Sequence, residues 1–493
     1  MMNLKNYHWL LLVLIFAVAL RLIFFTGSTT SDELAYYSYA NDAVNNKFEL
    51  LPDHFSSRMG LIYGQAFLYK IFGINEFTSN LLPLIASLLG IILIFYTGKL
   101  LFNEKIGLLS AFLLSFYPLD VIYSTRLLPD LPAAFFMALS AFFFLKAERS
   151  SPKKNIFLLI SGIALGIAYL IKELSLILVL FFVLYALYRR KIVKNYAFIF
   201  VGVLLFLIIE FVYAYVHTGN PLYRYFAIES QEVYFMRTFY YSYFTLQGLL
   251  SRLFFHYPYF MLSDVHYGSF FIFVIMAVFY FIINRNKNTN ILLLWFFSIF
   301  FYLNFGTVSF YRYVPIGVTD RFLVMITFPS ILLLSNFIVQ KNFIRSKLTN
   351  FIILFLFLTS LGFIYVSKDR SQINEIKEAH EFLIKNRVKL VYTDERTSSV
   401  LKYLSGYKNI YEIKEFQKYD TLNFDPDADK NIFVLDMKKI EDANILVNLN
   451  MIKSFTKSYK NIRFPYEVSN PPSNWKLEKE FGSYDKKIKI YST

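Results

Sequence analysis

Eleven apolar stretches divide the first 366 residues of this chain, near 9–25, 77–98, 106–118, 131–146, 155–171, 174–188, 196–216, 269–283, 291–305, 321–339 and 349–366. A helix closes its own backbone hydrogen bonds, so runs of this kind suit a hydrocarbon core about 30 Å thick, although some of them are short for it. Composition agrees: 56% of the residues are hydrophobic, 20% aromatic and only 17% charged, against about 25% charged in soluble domains. The expected fold is a polytopic α-helical membrane protein.

The charges set its expected topology. Alternate loops carry Lys99 and Lys105; Lys146, Arg149, Lys153 and Lys154; Arg189, Arg190, Lys191 and Lys194; Arg285 and Lys287; and Lys341, Arg345 and Lys347. With Lys5, these mark the cytoplasmic side. The opposite loops hold isolated cations beside acids: Arg126 with Asp120 and Asp130, Lys172 with Glu173, Arg321 with Asp320. The N terminus is therefore expected inside and the C terminus outside, in a multi-pass protein of the plasma membrane. The net charge of +15 is spent largely on these loops, and no nucleic-acid partner is expected. The run from Trp9 to Phe25 lacks a small-residue cleavage site and reads as a retained first helix. Cysteine is absent, which excludes disulfides, thiolate metal sites and a cysteine nucleophile.

Two outer loops are long. The first, 26–76, contains "TTSDELAYYSYAND" and a semi-apolar segment, Arg58 to Phe72, interrupted by Gly60 and Gly64, which reads as a helix lying in the interface. The second, 217–267, is dense in Tyr and Phe and carries His217, His256 and His266. Beyond Val366 the composition turns polar. "KLVYTD", "NIYEIKEF" and "NIFVLDM" read as strands, "SQINEIKEAHEFLIKN" as an amphipathic helix and "LEKEFGSYDKKIKIY" as a terminal hairpin. The expected division is a membrane domain, 1–366, and an extracytoplasmic α/β domain, 367–493.

Ionisable groups at a membrane edge are costly, so those on the outer face are the candidates for chemistry. Asp32 and Glu33 follow Ser31 at the start of a helical stretch. There acids favour the helix dipole by about 0.3–1 kcal/mol each, so capping and catalysis are equally open. Arg58, Arg126, Lys172 and Arg321 share that face. Singly, each has a structural explanation, such as an Arg126–Asp130 pair at helical spacing. Together they suit a lipid-linked phosphate held at the interface while a carboxylate takes a proton from an acceptor hydroxyl.

At this point the sequence resembles the membrane glycosyltransferases of the GT-C class, in the polyprenyl-phosphate-sugar branch that includes protein O-mannosyltransferases and lipid A aminoarabinose transferases. The resemblance rests on ordered motifs across about 30–340: "SDELAYYSYA", "EFTSNLLPLIASLLGIILIFYTGKLLFNEKIGLLSAFLLSFYP", "YSTRLLPDLPAAFF", "LIKELSLILVL" and "DRFLVMITFPSILLL". It implies a GT-C fold of about 11 transmembrane helices with a small C-terminal α/β soluble domain. The implied activity is inverting transfer of a sugar from a polyprenyl (dolichyl or undecaprenyl) phosphate to a protein, lipid or glycan acceptor on the extracytoplasmic face. The acid pair would then be catalytic, with Asp32 the general base or, with Glu33, its organiser. Lys172, Arg126, Arg321 and Arg58 would bind the donor phosphate. Some members of the class bind a divalent metal and others none; His54, His256 and His266 are the candidate ligands here. Departures from the class pattern leave the acceptor open. The only tryptophans, Trp9, Trp295 and Trp475, lie outside any Trp-Trp-Asp context, which speaks against whole-oligosaccharide transfer to asparagine. A transporter or flippase of lipid-linked sugars is the alternative, disfavoured by the absence of an internal repeat, and a glycan polymerase or ligase is another. The C-terminal domain reads equally as an acceptor-holding cap or a stabilising appendage.

Overall fold

The computed structural model describes residues 4–29, 31–149, 152–190, 194–239, 241–263, 268–340, 347–368, 373–415, 432–437, 468, 471–482 and 487–492. The chain forms two compact units, one of 1–27, 42–73 and 77–369, the other of 28–41, 74–76 and 370–493.

Each of the eleven apolar stretches in the first unit is helical. Among the described residues, seven helical segments are long and apolar enough to cross a membrane: Leu81–Leu101, Asp130–Arg149, Lys154–Ile171, Lys194–Thr218, Lys287–Phe305, Asp320–Gln340 and Thr349–Ser367. Three more apolar helices are shorter, His8–Ile23, Glu173–Tyr188 and Ser269–Ile283. The stretch expected as a span at 106–118 differs most. Its helix, Glu104–Ser115, has 12 residues, about 18 Å of rise, and a separate helical turn, Pro118–Tyr123, follows it. Pro118 has no N–H to continue the first helix, and it pushes Tyr117 into an extended conformation.

Two devices hold the helices together. Small residues permit close backbone approach: a Cβ on Gly202 would lie 2.6 Å from the Ile163 backbone nitrogen, which fixes the crossing of Lys154–Ile171 with Ala197–Thr218. A buried polar knot does the rest. Arg21, fully buried, donates to Asp120 at 2.5 Å, to Ser87 at 2.8 Å and to the carbonyls of Ala17 and Ser115 at 3.0 and 2.9 Å. An uncompensated guanidinium in such a place would be costly, and here nearly every donor is matched.

Met59–Phe72 is a 14-residue helix. Within the second long loop the chain forms a helix, Tyr223–Phe239, then short turns that include a π-helical one at Arg252–His256.

The second unit is built on a five-stranded sheet. Strands β1 (Leu390–Thr393), β2 (Glu412–Glu415), β3 (Ile432–Asp436), β4 (Lys476–Phe481) and β5 (Ile488–Ser492) lie in the order β2-β1-β3-β5-β4. The first three are mutually parallel; β5 is antiparallel to β3 and forms a hairpin with β4. An aromatic stack fills one side, with Phe433 5.0 Å from Tyr392 and 4.1 Å from Trp475 between ring centres. Helices Ile373–Lys385 and Glu395–Leu404 complete it, the latter N-capped by Asp394, which accepts from Arg396 N at 3.0 Å.

The first long loop, 26–76, is divided between the two units. Two of its pieces, 28–41 and 74–76, fold into the second unit. Tyr37 and Tyr403, both buried, stack with centres 4.5 Å apart and planes 14° from parallel. Lys377 donates to both oxygens of Glu76 at 2.7 Å.

Candidate active site

Within the membrane unit, the charges gather where three helix ends meet. The Lys154–Ile171 helix stops at Lys172, which is extended (φ −152°, ψ 123°), and the chain restarts at Glu173 in a 3-10 turn. This break puts one residue between two apolar helices and turns its side chain inward: Lys172 is 2% exposed. It donates to Asp130, the first residue of the Asp130–Arg149 helix. Its ammonium also lies 4.1 Å from the centre of the Phe322 ring, whose face is shared by Arg321 at 5.9 Å. Burial depresses the Lys172 ammonium to about 8, with Asp130 opposing and Arg58 and Arg321 adding to the fall.

Arg58 immediately precedes the Met59–Phe72 helix. Gly60, two residues on, allows that helix to lie against the end of the neighbouring one, because a Cβ there would stand 2.9 Å from Ile171 N and Leu170 C. The Arg58 guanidinium reaches Glu173 at 3.4 Å, and Arg224 reaches the other oxygen at 3.1 Å. Arg224 also lies 3.8 Å from Glu210. Arg126 joins from the side. Its guanidinium sits 5.7 Å from the Tyr123 ring centre, and the Tyr123 hydroxyl donates to Asp320 at 2.7 Å. Asp320 in turn accepts from the Arg321 backbone N–H at 2.8 Å. Arg58, Lys172, Arg321 and Arg126 thus belong to one connected cluster.

The Tyr223–Phe239 helix is stitched along this cluster, through Arg224 to Glu173, through Glu229, which accepts from the Ser309 hydroxyl at 2.5 Å, and through Gln231, which accepts from His54 N at 2.9 Å. Glu232, on the same helix, is partly buried. Burial and then Glu173 push its carboxyl up, against Arg58, Lys172 and Arg321.

Sequence reasoning missed several members. Asp130 read as the partner of Arg126 by spacing, and the structure gives it Lys172. Glu173 read as a mere neighbour of Lys172 and instead receives two arginines. Glu210, Arg224 and Glu232 gave no local signal at all; an acid inside an apolar run at 210 was the one available clue.

The acid pair lies in the second unit. The helix there begins at Glu33. Glu33 is fully buried and accepts from the backbone N–H and the hydroxyl of Thr29, which closes the turn before the helix. Asp32 is half-buried.

His54 and His256 have separate partners. His54 pairs with Gln231 and His256 with the Tyr243 hydroxyl at 2.7 Å, while His266 lies outside the described residues. Among the described residues no three His, Asp or Glu side chains converge on a point that fits a metal ion.

Comparison with known proteins gives the fold. Residues 59–215 match the family model of dolichyl-phosphate-mannose-protein mannosyltransferase. The structure is similar to ArnT from Cupriavidus metallidurans in the apo state, with TM-score 0.61 and 11% identity over 99% of this chain and 98% of that one. The same protein bound to undecaprenyl phosphate gives 0.59, at 11% identity and 98% coverage of each. The Archaeoglobus fulgidus oligosaccharyltransferase in complex with Zn and sulfate gives 0.57, at 13% identity over 92% of this chain and 70% of that one. No curated protein matches by sequence. The fold is that of the GT-C membrane glycosyltransferases, here a multi-pass helical unit followed by a small C-terminal sheet.

Proposed function

We propose that this protein transfers a single sugar, a hexose or a pentose, from a polyprenyl phosphate to an acceptor on the extracytoplasmic face of the membrane, inverting the anomeric centre. The observation that carries this reading is the cluster of Arg58, Lys172 and Arg321 beside Phe322 at the helix ends, in a fold it shares with a protein solved with undecaprenyl phosphate. A polyprenyl tail stays in the hydrocarbon while its phosphate sits at this depth.

The chemistry needs what the cluster holds. The acceptor oxygen attacks the anomeric carbon and the bond from that carbon to the phosphate oxygen breaks, its electron pair remaining on the phosphate. The phosphodiester becomes a monoester and gains negative charge. Cations fixed around it are worth more at the transition state than in the ground state, which is the condition for catalysis. The acceptor proton passes to a carboxylate, which we assign to Asp32; the buried Glu33 shapes the turn that carries it. Lys172, Arg58 and Arg321 are the phosphate ligands, with Arg126 supporting Arg321 through Tyr123 and Asp320.

The test is direct. Purified protein in liposomes, given a polyprenyl-phosphate monosaccharide and an acceptor extract, should release free polyprenyl phosphate. Asp32→Asn should abolish release while donor binding persists. Turnover by that variant at the normal rate would remove Asp32 as the base, and no release with any monosaccharide donor would point to a flippase or a polymerase.

A further inference from the structure

We propose that the C-terminal α/β fold is the positioning element for the Asp32 turn, acting through the Tyr37–Tyr403 stack. This rests on Asp32 being the base. A 12-residue helix such as Glu33–Val44 is marginal in water alone, so tertiary contacts must set its start. Tyr37 lies one turn beyond Glu33 and is completely buried, as is Tyr36. Tyr37 stacks flat on Tyr403, at 4.5 Å and 14°. Tyr403 is in the last turn of the Glu395–Leu404 helix. That helix starts at Asp394, directly after β1, which is hydrogen-bonded on both sides, to β2 and to β3. A rigid line therefore runs from the sheet through one helix and one ring pair to the helix that begins beside Asp32. The loop is tied again where it leaves the unit, by the Glu76–Lys377 pair, and Glu33 closes its near end on Thr29. The domain expected to be a cap or an appendage thereby has a task of its own: a base misplaced by an ångström loses much of its effect.

The test compares full-length variants in the liposome assay for release of polyprenyl phosphate. Tyr403→Ala should lower kcat at least tenfold with donor KM within twofold, and Tyr403→Phe, which keeps the ring, should restore kcat. Tyr37→Ala and Tyr37→Phe should behave as the same pair, which covers the case in which Tyr403→Ala fails to fold. Tyr403→Ala combined with Asp32→Asn should be no slower than Asp32→Asn alone. Full kcat in both alanine variants, or a failure of phenylalanine to rescue, overturns the proposal and leaves the proposed function intact if Asp32→Asn is inactive. A parallel rise of donor KM in the alanine variants also overturns it, as general damage. An active Asp32→Asn overturns the base assignment and this proposal with it.

Discussion

Gly60 and Ile171 meet backbone to backbone: a Cβ on Gly60 would lie 2.9 Å from the Ile171 nitrogen. That contact sets the distance between Arg58, two residues before it, and Lys172, one residue after Ile171. Gly60→Ala forces a shift of backbone against backbone, costing about 1–3 kcal/mol, and the shift falls on Arg58 and Lys172, to which we assign the donor phosphate. Lipid-phosphate binding, measured by competition with a labelled polyprenyl phosphate, should weaken about tenfold. Gly64→Ala meets only the flexible end of Leu82 at 3.3 Å and should bind nearly as the parent does.

Lys172 gives the site an alkaline limit. Burial lowers its ammonium to about 8, with Arg58 and Arg321 assisting and Asp130 opposing. The charged form, which the proposed function needs for holding the phosphate, is present below that value and is lost above it. Donor affinity of the free enzyme should therefore fall as pH rises through about 8. Lys172→Arg should remove this limb, since a guanidinium stays charged throughout. A titration of donor KM from pH 6 to pH 10 checks both.

Asp120 pairs with the buried Arg21, so its loss should register in stability and not in transfer. Asp120→Ala leaves Arg21 buried with its main anionic partner gone, a loss of about 3–5 kcal/mol. Thermal unfolding in detergent should show it, while protein that remains folded should keep its donor KM. Replacing Arg21 by Met together with Asp120→Ala should recover part of the loss.

The absence of cysteine makes the proposed orientation easy to test. Asn409→Cys, on an exposed stretch of the second unit, should react with a membrane-impermeant maleimide on intact cells. Lys287→Cys, exposed at the start of the Lys287–Phe305 helix, should react only after permeabilisation.

The spans were legible because hydrocarbon imposes one rule on every residue of a segment. Strands β1 and β3 were legible for the same kind of reason, each being a short apolar run bounded by polar residues. What escaped the sequence was pairing across distance. Asp130 has Arg126 at a plausible helical spacing, but the helix begins at Asp130 and turns its carboxylate toward Lys172. Arg224 sits in a segment that read only as aromatic-rich, and its value comes from Glu173, which it meets through the fold alone. The break at Pro118 was visible as a residue but not as a broken span, because the apolar run reaches it without interruption. Nothing in "AYYSYA" marks Tyr37 as the partner of a ring near the far end of the chain.

That partnership also orders the making of the molecule. Residues 28–41 leave the ribosome early, and the helix that carries Tyr403 comes much later. Throughout synthesis of the spans, Tyr36 and Tyr37 lack the surface that buries them, so the turn carrying Asp32 waits for its final form. Contacts between the two ends of a chain form late and expose apolar surface meanwhile. A chain cut short before Tyr403 would keep its membrane helices but lack the ring on which Tyr37 stacks, so on the proposed function no unfinished copy would hold its base in place.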